Sequence, residues 1–401
     1  MSPLALIFVA LFNSILGLSV LFPILGPLGR ELNLRELEIG SLTTVYALAQ
    51  FVGSSYWGKQ SELLGRKPVL LRGILGFSAT FFAFGLIAQC GRAGWLQGTP
   101  LFLCLLATRA IGGLYSSATL PSAQAYVADV TNRNDRTAGM AVVGAAFGLG
   151  IVFGPAIGAM LAPVGLLVPV YFSAGIALLN ALFVHLRLPE SKRDAQVQQP
   201  PELRAVASKV WVLLAVGFAT TLASVSMEQT IAFYFQDRLN LNTTQAARSV
   251  GFSLVLYGVV AVLIQGGFVR RAKWPPLRLL RLGIPISAAG LLLLVWAPGE
   301  TWLMIAMAVQ GLGQALTAPG VTAALSLGVE EHEQGAVAGL NSSTGALART
   351  LGPVLGTGLY EIRPQYPFAF GAAVLALVFV FVMVSPSLLS ASPRPSRSEA
   401  P

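Results

Sequence analysis

Hydrophobic positions in this chain neither alternate nor fall into short amphipathic stripes; they come in long runs divided by brief polar stretches. Each run is about 20 residues, which as a helix rising about 1.5 Å per residue matches the roughly 30 Å of a bilayer's hydrocarbon. The runs predict helices over 4–26, 39–57, 68–88, 101–127, 137–161, 167–186, 208–235, 247–268, 277–297, 301–327, 334–358 and 367–385. Strands with an apolar and a polar face are missing from the pattern, which argues against a membrane β-barrel. The fold class expected is an all-α integral membrane protein with twelve helices. GPLGRELNLRELEIG follows the first run without a small-residue cleavage site, so that run reads as a retained helix and no targeting segment is evident.

The longest polar stretch, RLPESKRDAQVQQPPELRA at 187–205, lies between the sixth and seventh runs. It divides the chain into an N-terminal six-helix bundle over 1–187, a linker over 188–207, and a C-terminal six-helix bundle with a short tail over 208–401. The halves echo one another: GPAIG at 154–158 returns as GPVLG at 352–356, each near the end of a Gly/Ala-rich helix. Two related halves with a site between them is a common plan of secondary transporters.

Composition and charge sharpen this reading. The chain is 55% hydrophobic and 11% charged with a mean hydropathy of +0.71, which excludes an ordinary soluble domain. Most of its 26 Lys and Arg fall in the stretches 58–72, 133–136, 187–209, 270–281 and 394–397, which share one side of the bilayer if the N-terminus is cytoplasmic. That is the bias of cytoplasmic loops, and it places both termini in the cytoplasm. Topology and anionic lipid account for the net charge of +9, and no basic patch interleaved with aromatics suggests nucleic acid. Cys90 and Cys104 flank an outside loop and either pair or stand as independent small apolar residues. His185 and His332 have no metal-ligand spacing around them, so no metal is expected.

Several motifs carry a family resemblance. GKQSELLGRKPVLL at 58–71 holds Gly58, Glu62, Gly65, Arg66 and Lys67 between the second and third helices. The fourth helix contains RAIGG, with Arg109 and Gly113, and the fifth contains GIVFGPAIG, with Gly150, Gly154, Pro155 and Gly158. Together they resemble the signature loop, the Arg-x-x-x-Gly motif and the antiporter motif of the major facilitator superfamily. Among its branches the chain is similar to the bacterial drug:proton antiporters, the tetracycline and quinolone multidrug efflux pumps. The resemblance implies two pseudo-symmetric six-helix bundles in the bacterial cytoplasmic (inner) membrane, acting as a monomer. It also implies export of an amphipathic or cationic small molecule, driven by protons and a proton gradient without a cofactor. The chain departs from the pattern at Glu62, where the family usually has Asp; at Asn13, where tetracycline pumps tend to have an acid; and at Gln314 in the tenth helix, where some multidrug pumps have one.

Candidate chemistry centres on Glu228 in LASVSMEQTIAF, the only acid placed deep in a predicted helix. A charge at that depth costs a few kcal/mol or more and is a functional-site hypothesis by default. Desolvation disfavours the charged form of a carboxyl, so such a group can exchange a proton near neutral pH and trade it for a cationic substrate. The alternative is a neutral Glu228 hydrogen-bonded to Gln229, Ser226 or a neighbouring helix. Arg109 and Arg349 are the embedded cations, each bound to backbone or drawn toward the acid. Glu62, Arg66, Lys67 and Asp129 are expected to cluster and hold the cytoplasmic side shut. Tyr46, Phe51, Tyr115, Phe233, Tyr234 and Tyr257, with Asn13 and Gln314, either line an apolar pocket or simply pack. A carrier of a sugar or other metabolite and a non-transporting membrane sensor are the other readings; an enzyme would need a cluster of catalytic groups that the sequence does not offer.

Overall fold

The computed structural model describes residues 2–131, 136–191, 203–272, 274–330 and 333–384. Arg133, Lys192, Arg193, Lys273, His332, Arg394 and Arg397, most of the expected linker and the tail lie outside the described residues. Among those described there is no strand. The helices are α1 (Pro3–Ser19), α2 (Phe22–Glu31), α3 (Glu36–Leu64), α4 (Arg66–Arg92), α5 (Gly98–Ser116), α6 (Thr119–Val130), α7 (Arg136–Leu161) and α8 (Val168–Arg187). Beyond the linker come α9 (Leu203–Leu239), α10 (Thr243–Leu263), a π-helical turn over Ile264–Val269, α11 (Arg270–Ala272), α12 (Pro276–Trp296), α13 (Glu300–Leu327), α14 (Gln334–Ile362) and α15 (Tyr366–Val384).

Three of the twelve predicted rods are interrupted where the sequence withdraws backbone donors or side-chain bulk. The first breaks between α1 and α2 just ahead of Pro23, whose ring occupies the first turn of α2. The fourth breaks at Ser117–Ala118, shortly before Pro121. The eighth passes into the π turn at Gln265-Gly266-Gly267. Against the expected start at 208, α9 begins at Leu203 and runs 37 residues, longer than the bilayer needs, so part of the expected linker is helix.

Nine spans among the described residues are long and apolar enough to cross a membrane. The other three rods are α3, α13 and α14, of 29, 28 and 29 residues, and they are long enough but more polar, carrying Thr44 and Gln50, Gln310 and Gln314, and Asn341 and Arg349. Helices that face protein or an aqueous cleft tolerate such residues, whereas lipid-facing ones do not.

Packing repeats between the halves. In the first, α1 lies on α7 and α8, α3 on α5, and α4 on α5 and α8; in the second, α9 lies on α14 and α15, α10 on α13, and α12 on α13 and α15. Each pairing maps onto its counterpart six spans later. The halves meet through α3 with α14 and α7 with α10, again a related pair of contacts, and through α2 with α9 and α10. The repeated glycines explain the closest of these approaches. A Cβ at Gly150 would come 2.8 Å from that of Ile15, and one at Gly154 would overlap the Ser19 hydroxyl; in the other half a Cβ at Gly352 would come 2.9 Å from Val225 and one at Gly356 2.6 Å from the Ser226 hydroxyl. Missing side chains thus let α7 sink onto α1 and α14 onto α9, and Ser19 seals the first contact by donating to the Gly150 carbonyl at 2.7 Å.

Candidate functional site

Two ends of the molecule need names: the linker end, where α3 stops, α8 stops and α9 begins, and the far end, where α2 stops and α3 begins. Contact between the halves is graded along this axis. Toward the far end Gly40 is pressed onto Pro353 and Thr357, and Gly251 onto Ala159 and Pro155. Toward the linker end Gly58, Gly144, Gly148, Gly266, Gly267, Gly335 and Gly339 have nothing within 4 Å of where a Cβ would stand. Close approach between the halves is thus seen toward the far end, and the open space beside these glycines fits a cleft open toward the linker end.

Glu228 sits on α9 in that setting. Gly352 and Gly356 hold α14 against Val225 and Ser226, and Ser226 and Met227 are buried, which turns Glu228 off the contact. It is half-buried and makes no hydrogen bond or ion pair with a described residue; the bonds to Ser226 and Gln229 that would tie it up are not formed, and the Ser226 hydroxyl is itself unpartnered. Arg349 on α14 and Tyr257 on α10 lie within electrostatic reach of its carboxyl. The acid stands 11 residues before the end of α9, about 16 Å from the far end at 1.5 Å per residue. A carboxyl at middle depth, flanked by a guanidinium and a phenol and bound to neither, can take up and release a proton without first breaking a local network.

Arg109 is buried in the first half. Its Nε points to the Leu42 carbonyl at 3.5 Å, its guanidinium lies 4.3 Å from the Tyr46 ring centroid and 5.7 Å from that of Phe81, and one of its terminal nitrogens has no partner. Close passage of α3 over α5 makes this possible, since Gly113 lies under the Tyr46 backbone. The cation is held by π faces and a carbonyl, and no described carboxylate pairs with it.

The signature loop forms a compact hub. Arg66 Nε donates to Asp129 Oδ2 at 3.0 Å and a terminal nitrogen donates to Ser61 at 2.9 Å, with both charged side chains largely buried. Glu190, beyond α8, caps the start of α4 by accepting from the backbone N–H of Arg66 at 2.8 Å and of Lys67 at 3.2 Å, and Ser191 donates to Asp129 at 2.8 Å. Lys67 Nζ donates to the His185 carbonyl at 2.8 Å. Gly65 makes the cap possible: its φ of +97° is costly for other residues, and a Cβ there would come 3.0 Å from the Glu190 carboxyl. Two expectations change. Glu62 is exposed and pairs with no described residue, because Glu190 takes the capping place. Among the described residues the hub also joins only α3, α4, α6 and α8, and there it does not link the two halves. In the second half Lys209 and Glu333 pair at 2.7 Å, tying α9 to the start of α14.

The contact that does span the halves lies at the far end, and the sequence reading missed it. Arg30 at the end of α2 donates to both carboxylate oxygens of Asp237 on α9, at 2.5 and 2.8 Å, and to Glu36 at 2.7 and 3.0 Å; Tyr360 donates to Asp237 at 2.7 Å. Arg35 reaches Glu361 at 3.0 Å, the backbone N–H of Leu37 donates to the same carboxylate at 3.1 Å, and Thr44 donates to the Thr350 carbonyl at 2.8 Å. Every hydrogen bond between the halves among the described residues lies here. RELNL at 30–34 and DRLNL at 237–241 held the signal. In each, an Asn with positive φ, Asn33 or Asn240, ends the helix, and the following Leu N–H bonds back to a carbonyl five residues earlier. Arg30 and Asp237 occupy equivalent places in this repeat, so they meet across the relation between the halves.

Other candidates divide by exposure. Phe233 and Tyr234 belong to the core and not to a pocket wall: Phe233 packs under Arg30 and against Tyr360, and Tyr234 donates to the Leu294 carbonyl at 2.9 Å beside Phe368. Tyr115 packs on Gly76 and Trp57, and Tyr46 lies buried beneath Arg109. Phe51 is exposed, while Asn13, Tyr257 and Gln314 are half-buried and Arg349 is exposed. Cys90 and Cys104 are free thiols. No group of three metal-ligating side chains occurs among the described residues.

Comparison with known proteins places this geometry. The sequence profile of the Major Facilitator Superfamily matches residues 7–299 and 272–401. Multidrug resistance protein 1 of Bacillus subtilis is 25% identical over 397 residues, covering 97% of this chain and 98% of that protein. Quinolone resistance protein NorA of Staphylococcus aureus is 23% identical over 388 residues, covering 94% and 96%. Among solved structures, a bacterial homologue of the human lysosomal transporter Spinster, in an inward-facing and unoccupied conformation, superposes with a TM-score of 0.71 at 13% identity, covering 98% of each chain.

Proposed function

The chain belongs to the Major Facilitator Superfamily, and on that premise we propose that it is a proton-coupled antiporter that exports amphipathic or cationic drugs across the bacterial cytoplasmic membrane. The observation that carries the proposal is Glu228: a middle-depth acid bonded to no described residue, beside a cleft between the halves and within reach of Arg349 and Tyr257. The names of the Bacillus and Staphylococcus relatives favour drugs as cargo. With the linker end assigned to the cytoplasm from its basic loops, a cleft open there takes substrate from the cell or the inner leaflet. Ionised, Glu228 attracts a cation; protonated, it does not. A proton arriving from outside when the far end has opened therefore releases the substrate, and its loss to the cytoplasm resets the site. Rocking of one half over the other moves the opening, with the Arg30–Asp237 contact made in the state seen here and broken in the other. Arg109 holds α3 to α5 during that motion. The carrier works as a monomer, with the bilayer, a proton and a small molecule as its partners.

The test is Glu228→Gln in a host lacking its own pumps. The variant is expected to reach the membrane at wild-type level and to show no uncoupler-sensitive efflux of a cationic dye. Wild-type pumping by the Gln form would overturn the assignment.

A further inference from the structure

Outside the transport pathway, the linker end carries a cavity of about 420 Å³ at the start of α12, lined by Trp274, Arg278, Arg281 and Leu282. It lies where the π turn over Ile264–Val269 ends and the chain reverses. Phe268 of that turn meets the Trp274 ring edge-on, with centroids 4.8 Å apart at 87°, and the Arg278 guanidinium stands 5.4 Å from the Trp274 ring. Arg281 Nε is shielded from solvent without a hydrogen-bond partner among the described residues. No described carboxylate pairs with either arginine, although two cations at positions i and i+3 in the opening turns of a helix add to the positive end of its dipole. Such an arrangement is uncompensated as it stands. A phosphate would complete it, because guanidinium and phosphate form paired charge-assisted hydrogen bonds.

The surroundings say which phosphate. Leu282 is exposed beside the arginines, and Ala289, Leu292 and Trp296 continue its face along α12, exposed at helical spacing. Free inorganic phosphate has no use for that stripe, whereas an acyl chain follows it from an interfacial Trp into the hydrocarbon. We propose that the cavity binds the phosphate headgroup of an anionic membrane lipid, with Arg278 and Arg281 on the phosphate, Trp274 beside the glycerol region and one acyl chain along Leu282 and Leu292. Basic pockets of this kind on the cytoplasmic side of membrane proteins recognise anionic headgroups.

The experiment places the full chain in nanodiscs of phosphatidylcholine with and without phosphatidylglycerol, and measures lipid retained by native mass spectrometry together with the thermal midpoint. Expected are selective retention of phosphatidylglycerol and a higher midpoint for the wild type, and about a tenfold loss of retention in Arg281→Gln, the effect of removing one charge-assisted contact. Arg278→Gln should weaken retention in the same direction, and Arg187→Gln, an exposed cation elsewhere at the same end, should leave it unchanged. If a variant unfolds, the selectivity and midpoint shift of the wild type still decide. Equal loss in Arg187→Gln, no selectivity in the wild type, or full displacement by excess inorganic phosphate would each overturn the lipid assignment.

Discussion

Breaking the far-end contact should open the molecule on that side, by an amount the geometry sets. Arg30→Gln removes two hydrogen bonds to Asp237, at 2.5 and 2.8 Å, and a longer one to Gln236 at 3.4 Å, that join the halves, and two to Glu36 that stay within one half and so do not distinguish open from closed. A charge-assisted bond contributes about 1.5–3 kcal/mol and an exposed ion pair about 0.2–1 kcal/mol. The Arg30 side chain is 21% exposed and that of Asp237 40%, so solvent screening pulls the value down, to about 1.5 kcal/mol for the inter-half pair. That is about a tenfold change in the ratio of far-end-open to far-end-closed molecules. Spin labels at Trp95 and Thr301, exposed near the far ends of α4 and α13, read the ratio directly as a distance distribution. The wild type should show mainly the short distance, and Arg30→Gln and Asp237→Asn should each add a long component of similar weight. The double variant should add little more, since both singles break one contact. Unchanged distributions, or shifts that simply add, would refute the reasoning.

Three further outcomes follow from particular contacts. Arg66→Ala and Asp129→Asn should each lower thermal stability, with the double variant costing about 0.5–3 kcal/mol less than the sum, as residues in contact do; additive losses would dissolve the pair seen at 3.0 Å. Arg109→Ala should reduce dye turnover more than membrane expression, because its guanidinium bridges α5 to Tyr46 and Leu42 of α3; normal transport by a well-expressed variant would make Arg109 mere filling. Gly154→Ala should destabilise by about 1–3 kcal/mol through overpacking against Ser19, while Gly58→Ala, with open space around it, should not; equal thermal midpoints would contradict the close approach of α7 to α1.

The long apolar runs made the twelve rods legible, because bilayer thickness fixes helix length whatever the neighbours are. The breaks at Val20, at Ser117 and in the π turn were harder to see, since a proline or glycine inside a run bends a helix only as its packing allows. GPAIG and GPVLG announced the tight helix pairs, as a glycine face has few other uses. Glu228 was conspicuous because depth makes a charge expensive. Charges at helix ends carry no such signal, so Arg30 and Asp237 read as loop residues until the fold brought positions 207 apart together. Glu190 was hidden in the same way, as its capping of α4 depends on where α8 ends. Spacing alone does not tell a pocket wall from a core, so the aromatics could not be sorted in advance: Phe233 and Tyr234 are fully packed, while Phe51 is exposed and Tyr257 half-buried near Glu228.

The central claim is that one carboxyl exchanges a proton for the drug. In purified protein held in weakly buffered detergent solution with a pH-indicating dye, addition of a cationic substrate should release protons in proportion to the fraction of protein bound, and Glu228→Gln should release none. Proton release undiminished in the Gln variant, or drug binding by the wild type with no release at any pH near neutrality, would contradict the account.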